Sequence, residues 1–133
     1  MRIFYIDDDD DDCELVKEVL HDIDDKIECI SYLNSREGVR FLKETDLIFD
    51  LIILDINMPV MNGKECLIEI KQHEVLKHIP VVMCSTTLQT KEMIRYFELG
   101  AYDFVVKPNV IEKFYTELGA IIGSLKEPKK ESN

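Results

Sequence analysis

The sequence predicts an α/β domain: a doubly wound, five-stranded parallel sheet with helices on both faces. Two observations carry this. Five short apolar runs alternate strictly with five amphipathic runs along the 133 residues, and such βα alternation closes as a parallel sheet joined by right-handed crossovers. The third apolar run, "DLIILD" (50–55), is also apolar on both faces between its two aspartates, as a central strand covered on both sides must be. We expect one domain over residues 1–125 and a short polar tail over 126–133, a size sufficient for a real core.

The elements follow in order. "RIFYI" (2–6) is short, β-branched and aromatic, and reads as a buried strand. Leu15, Val16, Val19, Leu20 and Ile23 recur at helical spacing and give a first helix from Asp10 to Asp22. "IECISY" (27–32) is the second strand. The next helix opens at Asn34 and Ser35, both good cap residues, and carries Val39, Phe41 and Leu42. After the third strand, "NMPVMNG" (57–63) is a turn-rich loop in which Met58 and Met61 are packing residues. "KECLIEIKQH" is the third helix and "IPVVMCS" (79–85) the fourth strand. Thr90 is placed to cap the fourth helix, "KEMIRYFEL", which Gly100 ends. "YDFVV" (102–106) is the fifth strand, closed by Lys107-Pro108, and "VIEKFYTELGAIIGSL" (110–125) the fifth helix.

Charge and composition exclude several functions. A net charge of −11 argues against direct binding to nucleic acid or an anionic membrane, since either would need a basic face. No apolar run approaches the ~20 residues that span a bilayer, and "MRIFYID" has no signal-peptide pattern. Cys13, Cys29, Cys66 and Cys84 show neither CxxC nor zinc spacing; they read as small buried hydrophobes in a reducing compartment, so the expected location is the cytoplasm. His21, His73 and His78 are scattered and are expected to face solvent.

Ligand sites in doubly wound sheets lie beyond the carboxyl ends of the strands, where strand order reverses. Strand 1 delivers Asp7 and Asp8 there, strand 3 delivers Asp55, strand 4 delivers Ser85 with Thr86 and Thr87, and strand 5 delivers Lys107. Three carboxylates a few ångströms apart repel, each pair by about 4 kcal/mol at an effective dielectric near 20. A cation must offset them. An all-oxygen set without His or Cys suits Mg²⁺, with Mn²⁺ a substitute, rather than zinc. Metal, hydroxyl, amine and a free carboxylate together make a site for phosphoryl transfer onto that carboxylate. Asp55 is the natural acceptor, since it ends the central strand alone and faces the Asp7/Asp8 pair. Lys107 would meet the phosphate, and Ser85 would donate to another of its oxygens.

"YIDDDDDD", "LIILDINMPVMNG", "PVVMCSTT" and "GAYDFVVKP", in this order and spacing, resemble the receiver domain of two-component response regulators, the chemotaxis-type, flavodoxin-like fold. The likeness runs from residue 2 to about residue 124. It implies that Asp7 and Asp8 are the metal-binding acidic pair, with Asp8 the more direct ligand, that Asp55 is the phosphoacceptor, and that Asn57 gives its backbone carbonyl to the metal. It further implies that Ser85 is the switch hydroxyl, with Thr86 beside it, Phe104 the switch aromatic and Lys107 the phosphate-binding lysine, and that the Lys107–Pro108 bond is cis. Ser85 stands where threonine is frequent in that family, and Thr86 where a small residue is frequent. The implied partners are a histidine kinase or phosphotransfer protein and a target protein docking on helix 4, strand 5 and helix 5, in a monomer or a weak phosphorylation-dependent dimer. Output would come by docking, and the only catalysis would be the domain's own phosphoryl transfer and dephosphorylation.

Competing readings of the same residues are weaker. Asp7, Asp9, Asp11 and Glu18 match EF-hand ligand positions, but Asp12 stands where the sharp turn needs Gly, and a strand precedes the loop. A haloacid dehalogenase-type phosphatase would carry its nucleophile on the first strand as DxDx[TV] and need a cap insertion. A receiver-like adaptor that takes no phosphate would leave the full set of groups unexplained. Asp9 to Asp12 fall in the turn into helix 1, where carboxylates meet free N–H groups and the positive end of the dipole; two of the four are expected only to face water.

Overall fold

The computed structural model describes residues 1–87, 89–107 and 111–126. Strands β1 (Arg2–Ile6), β2 (Glu28–Tyr32), β3 (Leu51–Asp55), β4 (Val81–Ser85) and β5 (Asp103–Val106) form one parallel sheet in the order β2-β1-β3-β4-β5. Helices α1 (Asp10–Ile23), α2 (Ser35–Glu44), α3 (Gly63–Gln72), α4 (Thr90–Glu98) and α5 (Ile111–Lys126) fill the crossovers. Strand order reverses between β1 and β3, whose ends are in register, Ile6 beside Leu54. Asp7 and Asp55 therefore leave the sheet side by side.

Strand alternation divides the core into two layers. Phe4, Ile6, Ile52, Leu54, Met83 and Phe104 pack under α2, α3 and α4. Ile3, Tyr5, Ile53, Cys84 and Val105 pack under α1 and α5, against Val16, Val19, Phe114 and Leu118. The same parity carries on past the strand ends. Asp7 follows Tyr5, Asp55 follows Ile53 and Lys107 follows Val105, so these three belong to the α1–α5 side. Ser85 follows Met83 and belongs, with Phe104, to the α3–α4 side. The sheet itself sorts acid and amine from hydroxyl and aromatic.

Local signals set the ends. Asp9 caps α1, its carboxylate accepting from the Asp11 and Asp12 N–H groups. Asn34 caps α2 alone, and Ser35 is the first helical residue. Asn62 and Glu65 form a reciprocal capping box on α3. The expectation for α4 is corrected: Thr90 is its first residue, and Gln89 occupies the cap position without a side-chain bond. Gly100, at φ +106°, ends α4. Its N–H donates to the Phe97 carbonyl and the Ala101 N–H to the Tyr96 carbonyl, the paired bonds of a left-handed C-terminal stop. The short 3₁₀ turn Leu76–His78 ahead of β4 has no counterpart in the sequence reading. His73 departs from expectation too: its Nδ1 accepts from the Val75 and Leu76 N–H groups that lead into that turn.

Met58 and Met61 are buried in the α2–α4 layer, as expected. Cys13, Cys66 and Cys84 are buried and Cys29 is partly so, all as free thiols. Burial pushes the Cys13 and Cys66 thiols up to about 12 and Cys29 to about 11, which keeps them protonated and inert. Among the described residues no helix is long and apolar enough to cross a membrane. The expected cis Lys107–Pro108 bond and the polar tail after Lys126 lie outside the described residues.

Candidate functional site

Asp7, Asp8 and Asp55 each bring one carboxylate oxygen to within 4.8 Å of the others. Two strand ends build this cluster, one on each side of the reversal in strand order. Asp7 is 0% exposed and Asp55 4%, whereas Asp8 lies exposed at the mouth. Lys107 reaches in from the end of β5. Its Nζ is 2.6 Å from Asp7 Oδ2, 2.9 Å from Asp12 Oδ2 and 3.4 Å from Asp55 Oδ1.

The two buried carboxylates are treated differently. Asp7 is held by three donors: the Tyr5 hydroxyl at 2.5 Å, the Asp9 N–H at 3.0 Å and the Lys107 ammonium. Three donors satisfy the hydrogen-bonding needs of this buried carboxylate, which would be costly to leave unpaired. Asp55 has weaker support. Burial, and then the charge of Asp7, push its carboxyl up to about 6, against the opposing pull of Lys107 and the Asn57 N–H. It is the underpaired carboxylate, and so the one most ready to gain from a cation or to react. Burial opposes the charge on Lys107, but its hydrogen bonds to Asp7 and Asp12 outweigh that and hold it above the ordinary lysine range.

The donor set fits a hard divalent ion. It is all oxygen, it contains more negative charge than Lys107 neutralises, and it combines buried and exposed carboxylates as a partly hydrated Mg²⁺ or Mn²⁺ requires. With Asp7 already engaged by three donors, Asp8 and Asp55 have the freer oxygens.

The hydroxyl side is poised away from the acids. Ser85 is buried at 1% exposure. Its Oγ donates to the Thr87 carbonyl at 3.0 Å and accepts from Asn57 Nδ2 at 3.4 Å. The Lys107 N–H donates to the Ser85 carbonyl at 2.7 Å, so strands 4 and 5 join directly beside the site. Thr86 is exposed at the rim. Phe104 is already inside, 8% exposed, with its ring 4.8 Å from Phe97 and 6.0 Å from Tyr96. A cavity of about 710 Å³ opens beside this half, lined by Asn57, Ser85, Thr87 and Lys91 among others.

The loop that carries Asn57 is tightly fixed. Gly63 N–H donates to the Ile56 carbonyl at 3.0 Å. A Cβ on Gly63 would lie 2.7 Å from Ile56 Cα, so only glycine lets α3 start against the end of β3. Val60 in this loop sits at φ +67°, a left-handed conformation that costs a β-branched residue about 1 kcal/mol or more.

Asp12 and Tyr5 are the site residues that the sequence reading missed. Asp12 was grouped with the helix-start aspartates, yet it stands four and seven residues before Val16 and Val19, on the face of α1 that turns to the sheet. That spacing was the available signal. Tyr5 read simply as a core aromatic, and only its two-residue offset from Asp7 on one strand face pointed to contact.

Comparison with known proteins agrees with this geometry. Residues 3–118 match the family model described as "Response regulator receiver domain". The chemotaxis protein CheY-3 of Vibrio cholerae is 31% identical over 114 residues, 81% of each chain. The phosphorylated cyanobacterial phytochrome response regulator RcpA superposes with a TM-score of 0.85 at 26% identity, covering 98% of both chains. The Mn²⁺-bound response regulator Rcp1 gives 0.82 at 28% identity, over 98% of this chain and 99% of its own. Other curated relatives are longer, and the chain spans 13% to 28% of their lengths. With a family model running from β1 into α5 and CheY-3 aligned through four-fifths of its length, the chain belongs to the response regulator receiver domain family and is a phosphoacceptor signalling switch.

Proposed function

We propose that Asp55 accepts a phosphoryl group from a histidine kinase or phosphotransfer protein, and that the modified domain signals through the surface formed by α4, β5 and α5. The observation that carries this is the underpaired, buried Asp55 carboxylate, placed within reach of both an acidic pair and a lysine. An Asp55 oxygen attacks phosphorus. The bond from phosphorus to the donor's imidazole nitrogen breaks, and that nitrogen keeps the electron pair. Asp55 must be ionised to attack, and Lys107 is the cation positioned to meet the oxygens of the arriving group.

Asp7, Asp8, Asp55 and the Asn57 backbone carbonyl would hold Mg²⁺, which when bound offsets the charge of the carboxylates and of the phosphoryl oxygens. Once Asp55 carries phosphate, Ser85 can leave the Thr87 carbonyl and donate to a phosphoryl oxygen, with Thr86 at the rim beside it. The resemblance implies that Phe104 is the switch aromatic. Because Phe104 is already packed against Tyr96 and Phe97, the coupling we favour is a shift of the β4–α4 loop, which Ser85 now ties to itself, against that fixed ring. Ile94, Phe97, Val106 and Ile111 leave exposed apolar surface on α4, β5 and α5 for a protein partner. Four free cysteines, three of them buried, accord with a cytoplasmic setting.

The test is intact-mass measurement after incubation with acetyl phosphate and Mg²⁺. One phosphoryl group should add, and none when EDTA replaces the metal. Equal uptake in EDTA would contradict a metal-assisted transfer.

A further inference from the structure

The Lys107 ammonium is closer to Asp7 and Asp12 than to Asp55. Asp7 is fully buried and has two donors besides the lysine, the Tyr5 hydroxyl and the Asp9 N–H. Asp12 is different. It is a third of the way exposed, at 35%, and comes from the first turn of α1 rather than from a strand end. The phosphoryl chemistry does not use it, and the metal cluster does not include it. Its interaction with Lys107, at 2.9 Å, crosses 95 residues of sequence and joins α1 to β5.

We propose that Asp12 is a positioning residue: it draws Lys107 away from Asp55 in the resting domain, and so sets how readily the lysine passes to a group bound on Asp55. The proposal rests on the reading of Asp55 as phosphoacceptor. One ammonium is shared by three carboxylates, and a tetrahedral anion on Asp55 must win it from the other two. Asp7 cannot be spared, because its burial makes an unpaired charge there costly. Asp12 can, because water reaches it. Asp12 therefore adjusts the affinity of the site without belonging to its reacting set. A second effect has the same sign: Asp12 also repels an incoming anion through space. The two effects separate when Lys107 is removed.

The experiment measures beryllofluoride affinity by fluorescence or NMR titration at saturating Mg²⁺. The four proteins are the wild type, Asp12→Asn, Lys107→Met and the double variant. Asp12→Asn should bind about fivefold more tightly, the worth of a partly exposed ion pair. In the Lys107→Met background the same change should alter affinity less than twofold. A second readout needs no metal: the Lys107 side-chain ¹⁵N ammonium resonance should shift or broaden in metal-free Asp12→Asn, as one of its carboxylate partners is lost. An unchanged affinity in Asp12→Asn would overturn the proposal. So would a fivefold gain that persists without Lys107, which would make Asp12 a through-space charge only. Failure of the wild type to bind beryllofluoride at all would instead overturn the reading of Asp55, and the ammonium resonance would still report whether Asp12 positions the lysine.

Discussion

Asp55 and Asp7 are neighbours with opposite provisions, and single substitutions should separate them. Asp55 has an ordinary carboxyl value of 3.8 that the fold raises to about 6, first through burial and then through Asp7. A raised carboxyl binds its proton more tightly in the folded state, so its contribution to stability is present at low pH and is lost as pH rises from about 4 to 6. Above that window the ionised group costs up to about 3 kcal/mol. Metal-free Asp55→Asn should therefore be more stable than wild type at pH 7, with the difference vanishing near pH 4; urea denaturation in EDTA at both pH values checks this. An Asp55→Asn variant less stable than wild type at pH 7 would mean that Lys107 outweighs burial. Tyr5→Phe should act in the other direction. It removes a hydrogen bond to a buried anion and should cost about 1.5–3 kcal/mol in the same assay. Of these residues, Asp7, Asp8, Asp55, Ser85 and Lys107 were legible because each follows an apolar run that could only be a strand. Asp12 was not, because in a row of six aspartates charge obscures which one faces the sheet.

Elements place these side chains, and the tightest junction is that between β3 and α3. Gly63→Ala would press a methyl group into the backbone of Asp55 and Ile56. Because that contact is with backbone, it cannot be relieved by a rotamer change, and the loop carrying Asn57 must shift. The expected result is a loss of 2 kcal/mol or more together with weaker Mg²⁺ binding, read by thermal denaturation with and without metal. Asn62→Ala, which removes only the cap of α3, should cost about 1 kcal/mol and leave the metal response unchanged. The start of α2 and the end of α4 were readable because Asn34 and Gly100 mark them, whereas Asn62, read only as part of a turn-rich loop, proves to be the cap of α3. The start of α4 was misassigned by one residue, since Thr90 has the chemistry of a cap while Gln89, which makes no cap bond, has the position. The resting place of Phe104 was likewise beyond sequence, because Tyr96 and Phe97 reach it from another element.

The whole molecule works as two half-sites on one sheet. Parity assigns Asp7, Asp55 and Lys107 to the α1–α5 layer and Ser85 and Phe104 to the α3–α4 layer, with the end of β3 next to both. Chemistry on one side can then be felt on the other with no long path through the core. The parallel sheet was implied by βα alternation, but the strand order that creates this arrangement was not; only the likeness to the flavodoxin-like receiver fold pointed to it. A divalent ion should stabilise the whole domain by relieving the crowded acids. At a hundred times its dissociation constant the gain is about 2.7 kcal/mol, seen as a higher Tm in Mg²⁺ that Asp8→Ala abolishes. The central claim, that Asp55 is the phosphoacceptor, is tested most directly by locating the modification. Protein treated with acetyl phosphate and Mg²⁺ is reduced with borohydride, which converts an aspartyl phosphate to homoserine, and is then mapped by peptide mass spectrometry. Homoserine at position 55 and at no other aspartate is the predicted result; homoserine at Asp7, Asp8 or Asp12, with aspartate intact at 55, would contradict the account.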